Sequence, residues 1–381
     1  MKIGLVLDDG LDSVDGVQQY VLTLGSWLEL QGHEVHYIVG QTKRTDIRNV
    51  HSLAKNIQVR FNKNRLAIPI YASKTKISKL LKQEQFDVLH VQMPYSPQYG
   101  GRIVSLAPES TVVVGTFHIL PYGRLQSFSS RLLAVTYRKT MHKFTKVVSV
   151  SPAAQSFAKN VMSIESDVLP NAVNLTKFNK GVPLQEYADG KQNIVFLGRL
   201  VERKGCLELL KAVELLVKTK RFSNRRLILC GTGPLESSIK KYIAHSNLAS
   251  YVDCVGRISE AQKPHYLASA DLAIFPSKSG ESFGIVLVEA IASGAGVVVG
   301  GDNPGYTYVL SGCKDVLINP RNIIDFSEKI DTLLNDEVRS RALGAKQKED
   351  IKKFDVSVVG SQLVGIYDAS IAKAAHNHNN T

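Results

Sequence analysis

Between Phe283 and Ala292 every residue is apolar or glycine except Glu289. A second carboxylate, Glu281, stands just upstream among Gly280, Ser282 and Gly284. Burying a carboxylate without hydrogen-bond donors is costly, so Glu289 needs a partner. A helix opened by Ser282 or Gly284 and closed near Gly294 would leave free N–H groups at its start, which form an anion site. Counted from Ser282, Glu289 lies roughly 10 Å along such a helix at about 1.5 Å per residue. That length suits a nucleoside diphosphate, with its phosphates at the helix start and a ribose diol donating to Glu289. Glu281 then faces the group beyond the phosphates. The spacing serves a second reading equally well, in which Glu289 pairs with an internal Arg or Lys and Glu281 is exposed.

The stretch "NIVFLGRLVERKG" (193–205) favours the first reading. It reads as a strand ending at Gly198, followed at once by Arg199, Arg203 and Lys204. Cations at the carboxyl end of a parallel strand are placed to meet phosphate oxygens. An ordinary solvated loop could also carry three cations; coupled to an anion-binding helix start in the same domain, they favour the phosphate reading.

The elements that must position these groups alternate between apolar runs and helical patterns, as parallel α/β sheets require. In the first half, "KIGLVL", "EVHYIVG", "VLHVQ", "TVVVGTF" and "KVVSVS" read as strands, with helices over 17–31, 74–85 and 127–143. The polar, turn-rich segment 177–192 reads as a linker. The second half restarts with "NIVFLG", "RLILCG", "VDCVG", "LAIFP", "GVVVGG" and "DVLIN". The expectation is two doubly wound domains, 1–180 and 181–354, each with a binding crevice at the carboxyl ends of its strands. A last helix over 355–373 would pack back on the N-terminal domain, and 374–381 would be a disordered tail.

Composition sets the broader limits. The chain of 381 residues is 44% hydrophobic and 21% charged, which suits a water-soluble two-domain protein. No apolar run approaches the roughly 20 residues of a membrane span. The start, "MKIGLVLDDG", reads as a first strand instead of a signal peptide. Four cysteines without a CxxC pair point to a reducing cytoplasm and against a disulfide framework or a zinc ribbon. The net charge of +13 is concentrated: 43–82 holds eleven basic residues and one acid, Asp46. Together with the basic amphipathic pattern of 71–82, this suggests peripheral docking on an anionic membrane surface. No nucleic-acid-binding signature accompanies the patch, so nucleic acid is not expected as a partner.

Several of these stretches resemble one family. "GESFGIVLVE" with its Glu-x7-Glu spacing, "FLGR…RKG", "CGTGP" and "DGVQQYVLTLGSWLELQGHEV" look like retaining GT-B glycosyltransferases of family 4, over about residues 1–370. Through "GVQ", "GTFH" and "GESFGIVLVEA" the chain is similar to the phosphatidylinositol α-mannosyltransferases of actinobacteria. The resemblance implies an α/β GT-B fold, two tandem Rossmann-like doubly wound domains with an interdomain cleft. It implies transfer of mannose or glucose from a nucleotide-diphosphate sugar, GDP-mannose or UDP-glucose, to a membrane lipid headgroup with retention of configuration.

It also implies roles for individual residues. Gly16 would let the backbone approach the donor pyrophosphate. Arg199 and Lys204, with Arg203, would neutralise the diphosphate leaving group. Gly280, Glu281 and the backbone of Ser282, Phe283, Gly284 and Ile285 would contact the transferred sugar and phosphate, and Glu289 the ribose. Ile258, Ser259, Glu260 and Lys263 would bracket the base. His118 would face the sugar, completing a catalytic set with Glu281, Arg199 and Lys204. Gln18, Asn62 and Arg65 match acceptor positions. No Asp-x-Asp metal site is visible; an assisting Mg²⁺ stays compatible with the motifs. Three departures from the family pattern bear on the acceptor. Asp15 precedes Gly16 where the family has a second glycine, Asp9 replaces an aromatic residue, and "PNAVN" (170–174) replaces "PNGVD". With acids near the acceptor side, a different lipid or a polyol fits as well as phosphatidylinositol. The other readings are a soluble acceptor and a sugar-nucleotide epimerase.

Overall fold

The structure is a computed structural model. It describes all residues except 13–14, 62–63, 94–95, 97–98, 121–139 and 380–381; of 57–61, 64–71 and 377–379 it describes the backbone alone. The chain forms two compact units, Met1–Ala172 with Val356–Thr381, and Val173–Asp355. The boundary therefore differs from the expected 180/181, and the stretch read as a linker is part of the second unit. There the Leu184 amide donates to Ser269 Oγ at 2.8 Å, and Asn193 Nδ2 donates to the Tyr187 carbonyl at 2.9 Å. These bonds dock a segment whose polarity alone suggested a free connection.

The first unit is built on seven strands: β1 (Lys2–Leu7), β2 (Glu34–Val39), β3 (Val50–Ser52), β6 (Val88–Val91), β7 (Val112–Phe117), β8 (Lys146–Ser149) and β9 (Asp167–Val168). They are parallel, in the order β3-β2-β1-β6-β7-β8-β9. Burial on both faces follows from the alternation of side chains along a strand. Ile3, Leu5 and Leu7 of β1 pack with Leu24 and Leu28 of the Gly16–Leu30 helix and with Val359, Leu363 and Tyr367 of the Val356–Asn379 helix. Val6, between them, packs on the other face with Ile77, Leu80 and Leu81 of the Lys74–Glu84 helix. Part of the basic patch forms an antiparallel hairpin that was not expected, β4 (Ala54–Phe61) with β5 (Asn64–Ala72). The expected helix over 127–143 lies, up to residue 139, outside the described residues.

The second unit has six parallel strands, β10 (Gln192–Leu197), β11 (Arg225–Cys230), β12 (Val252–Gly256), β13 (Leu272–Phe275), β14 (Val297–Gly301) and β15 (Leu317–Ile318), in the order β12-β11-β10-β13-β14-β15. All six correspond to the apolar runs read from the sequence. The C-terminal helix runs to Asn379, past the residue 373 expected, because Ile371 and Ala374 still pack against the first unit's core. Among the described residues no helix is long and apolar enough to cross a membrane.

Trp27, the single tryptophan of the chain, packs against the same cluster as Leu363. Its fluorescence therefore reports unfolding of the first unit. Leu363→Ala, at a fully buried position, is expected to lower that unit's stability by about 2–5 kcal/mol. Denaturant titration followed by Trp27 emission checks this; an unchanged midpoint would show that the helix does not complete the core.

Candidate functional site

In the second unit, β10 delivers Gly198 and the half-buried Arg199 at its carboxyl end, and a 3₁₀ turn over Glu202–Lys204 follows. Gly205 has φ 72°, and a Cβ there would come within 2.1 Å of the Pro276 carbonyl oxygen. The glycine is therefore what lets the Cys206–Lys218 helix start against the loop after β13. The Lys278 amide donates to the Arg203 carbonyl at 2.7 Å and ties the two loops together. Across this junction Arg203 Nη1 and Lys204 Nζ converge on one oxygen of Glu281, Lys204 at 2.9 Å and Arg203 in an even closer contact.

Glu281 is thus half-buried between cations, which departs from the reading that left it merely exposed. Burial alone would raise its pKa; the charges of Lys204 and Arg203 overturn this and hold the carboxyl below its ordinary value. Burial likewise opposes the Lys204 ammonium, but Glu281 outweighs it and raises the lysine's pKa. Two cations on one carboxylate concentrate positive charge where an anion could use it.

The helix after this loop begins at Ile285, three residues later than Ser282, and ends at Ala292. Gly284 caps it with φ 132°, where a Cβ would meet the Tyr306 ring at 2.7 Å. Phe283 is buried against Phe354 and Tyr308, with ring centroids 5.1 and 6.0 Å away. It can offer a ligand its backbone only. Glu289 lies four residues into the helix, about 6 Å from its start, so the expected 10 Å ruler is only partly helical.

Glu289 is 4% exposed and accepts from Lys263 Nζ through both oxygens at 3.2 Å. Glu289 therefore has the internal lysine partner of the second reading, whereas Glu281 is not exposed as that reading had it. Lys263 is also 3.0 Å from Glu260, so one ammonium serves two carboxylates. Burial and the Glu260 charge raise the Glu289 pKa in spite of Lys263. Such a carboxylate is still short of donors, and neutral hydroxyls would satisfy it. Ile258 is half-buried and Ser259 exposed; the Ser259 amide and hydroxyl bond Gln262 Oε1 in the turn that leads to Lys263.

In the first unit, His118 follows β7 and is 7% exposed. Its Nε2 lies 2.9 Å from Gln92 Oε1, and the Tyr20 ring meets it edge-on at 5.1 Å. An amide oxygen only accepts, so Nε2 carries the proton and Nδ1 is the acceptor. Burial lowers the His118 pKa to about 3, which keeps the ring neutral near pH 7. Gln18 Nε2 donates to Asp9 Oδ2 at 2.8 Å, and the Gly10 amide donates to Asp9 Oδ1 at 2.7 Å. Burial raises the Asp9 pKa, with Asp15 and Asp12 adding to it. Asp8 accepts from Ser96 Oγ and from the Gly100 amide; burial brings its pKa to about 6. Gly16 opens the Gly16–Leu30 helix, with Asp15 as N-cap. Asn62 lies outside the described residues; Arg65 sits on β5 paired with Arg60, its side chain undescribed.

The structure therefore joins Arg203, Lys204 and Glu281 in one group, and Glu260, Lys263 and Glu289 in another. Sequence reading missed Tyr306, buried with its hydroxyl 3.2 Å from Ser277 Oγ, and Lys278, which pairs with Glu208 at 2.8 Å. Lys278 was findable as a fourth cation three residues before Glu281; Tyr306 carried no local signal.

Residues 14–177 match the family described as Glycosyltransferase Family 4, and 185–350 match Glycosyl transferases group 1. Both sheets match solved structures over nearly the whole chain. One is HepE of Anabaena with UDP, TM-score 0.77, 16% identity, covering 97% of this chain and all of that one. Another is sucrose-phosphate synthase of Thermosynechococcus elongatus, TM-score 0.75, 19% identity, covering 98% and 100%. The chain has the GT-B fold and belongs to the glycosyltransferases of these two families. Its curated relatives include the phosphatidyl-myo-inositol mannosyltransferase of Mycolicibacterium smegmatis, 28% identical over 97% of this chain and 94% of that protein. The alpha-monoglucosyldiacylglycerol synthase of Streptococcus pneumoniae is 25% identical over 82% of this chain and 73% of its own.

Because the folded-state pKa of Glu281 lies below its ordinary 4.5, its charge stabilises the second unit fully above that value. The contribution is lost as pH falls through the folded pKa. Glu281→Gln should therefore destabilise the unit near neutral pH by on the order of 3–5 kcal/mol, as for a broken buried ion pair. The difference from the parent should shrink progressively as pH falls below 4.5 and through the folded pKa. Urea unfolding followed by circular dichroism across this range checks the pairing, and a pH-independent difference would refute it.

Proposed function

We propose that the chain is a retaining hexosyltransferase that moves mannose or glucose from GDP-mannose or UDP-glucose to a hydroxyl of a membrane lipid headgroup. The observation that carries the reading is the convergence of Arg203 and Lys204 on half-buried Glu281 beside the start of the Ile285–Ala292 helix. With Arg199, these cations take the diphosphate, helped by the N–H groups at the helix start. Diphosphate oxygens would draw Arg203 and Lys204 from Glu281 and free its carboxylate to accept from sugar hydroxyls. Glu289 accepts from the ribose diol, and the turn over Ile258–Glu260 borders the base. Leaving-group neutralisation is assigned to the cations; an assisting Mg²⁺ is not needed for any step.

In the reaction, the acceptor oxygen bonds to the anomeric carbon on the face from which the diphosphate leaves. The bond from that carbon to the β-phosphate oxygen breaks, and that oxygen takes the acceptor's proton. His118, neutral and held by Gln92, hydrogen-bonds the sugar and does not act as an acid. Gly16 offers its backbone to the pyrophosphate. Gln18, Asn62 and Arg65 serve the acceptor. Gln18 is already engaged by Asp9, and Asp9 with Asp12 and Asp15 makes this end of β1 acidic. That favours a hydroxyl-rich acceptor group over a phosphate at this end, and keeps a soluble polyol acceptor as the second reading.

Membrane attachment in this proposal is electrostatic and places the enzyme on the inner face of the plasma membrane. Lys74, Lys76, Lys79 and Lys82 are exposed, but Ile77, Leu80 and Leu81 of the same helix are buried in the first unit's core. The apolar face of this helix serves that core, which leaves the charges to meet the membrane, each worth about 1 kcal/mol at an anionic surface.

Two measurements test the reading. Lys204→Ala and Arg199→Ala should lower turnover by about 10²-fold or more with the fold retained; near-normal turnover in purified Lys204→Ala would remove the leaving-group assignment. Binding to anionic vesicles should fall steeply with salt, and on charge reversal at Lys74, Lys76, Lys79 and Lys82. Binding indifferent to both would end the membrane assignment.

A further inference from the structure

One polar cluster of the first unit takes no part in this chemistry. Glu34 and His36 are two residues apart on β2, so their side chains leave the same face. The Ile38–His51 pairing of β2 with β3 brings His51 alongside. Glu84, the last residue of the Lys74–Glu84 helix, approaches over that face. His36 Nδ1 is 2.8 Å from His51 Nε2, and the two rings stack at 5.1 Å with 6° between their planes. His36 Nε2 is 3.0 Å from Glu34 Oε1 and 3.9 Å from Glu84 Oε2. One ligand atom each from His36, His51 and Glu84 lies within 4.8 Å of the others.

We propose that His36, His51 and Glu84 bind a divalent transition-metal ion of the zinc class, with Glu34 accepting from His36 Nε2 and orienting the ring. Two imidazoles and a carboxylate are a donor set that suits zinc over magnesium or calcium. Zinc–nitrogen bonds of about 2.0–2.1 Å place tetrahedral ligand atoms roughly 3.4 Å apart. The His36–His51 contact must therefore open slightly and Glu84 close slightly, within the reach of side-chain rotation. Glu84 already pairs with a cation, Lys2 Nζ at 3.1 Å, which also lies 3.0 Å from Glu34. A metal ion would compete with Lys2 for the Glu84 carboxylate. It cross-links β2 and β3 to the end of the basic helix and so stabilises the first unit.

Zinc chloride titrated into the full chain by calorimetry tests this, together with thermal melting followed by Trp27 emission. One ion should bind per chain and raise the melting temperature. His51→Ala should weaken binding roughly tenfold or more, whereas replacing the tail histidines, His376→Asn with His378→Asn, should leave it unchanged. If His51→Ala fails to fold, Glu84→Gln serves with Co²⁺ as the probe. Visible bands of a four-coordinate site should appear in the parent and weaken in the variant. Absence of saturable binding, binding indifferent to His51 and Glu84, or loss of binding with the tail histidines would each overturn the proposal.

Discussion

The contact on which the second unit's chemistry turns is a single carboxylate oxygen of Glu281 shared by Arg203 and Lys204. Opposite unit charges about 4 Å apart attract by about 4 kcal/mol at an effective dielectric constant of 20. Desolvation consumes much of that gain, so the group is poised and not locked. Its backbone supports are rigid. Gly205 fits only without a Cβ beneath Pro276, Gly284 only without one beside Tyr306, and the Lys278 amide ties the two loops. The side chains can exchange partners while the loops that carry them stay put. That is what a site needs if it must hold a diphosphate and then release it.

The second group follows the same logic at lower charge. Lys263 serves both Glu289 and Glu260, and Lys177 stands 3.9 Å from Glu260, so buried Glu289 shares its single lysine. A ribose diol adds donors without adding charge, which is the cheapest way to satisfy a buried acceptor. In the first unit, His118 is held neutral by burial and oriented by Gln92, and so serves as a fixed hydrogen-bonding group.

Much of this was legible in the sequence because it depended on short-range pattern. Runs such as "TVVVGTF" and "RLILC" are β-branched and continuous, and a strand buried on both faces needs nothing else to be read. Glu281 and Glu289 stood out because each interrupts an apolar or glycine-rich run. What failed depended on distant partners. The segment 177–192 looked like a linker because its docking bonds go to Asn193 and to Ser269. Of the two helix openings read from the sequence, Gly284 is the N-cap and Ser282 is not; Tyr306, which a Cβ at residue 284 would meet, is distant in the chain. Lys263 as the partner of Glu289 is a contact across 26 residues. The hairpin β4–β5 was hidden because its strand alternation is overlaid by basic residues, which drew the reading toward surface charge alone.

The account stands or falls on what receives the sugar. Purified protein should be given GDP-mannose and UDP-glucose in turn, each with anionic lipid vesicles, with soluble sugars and polyols, and with no acceptor, and the products weighed by mass spectrometry. The account predicts a lipid heavier by one hexose with vesicles and one of the donors, and no new product without an acceptor. A sugar product formed with no acceptor at all, or hexose found only on soluble acceptors, would contradict it.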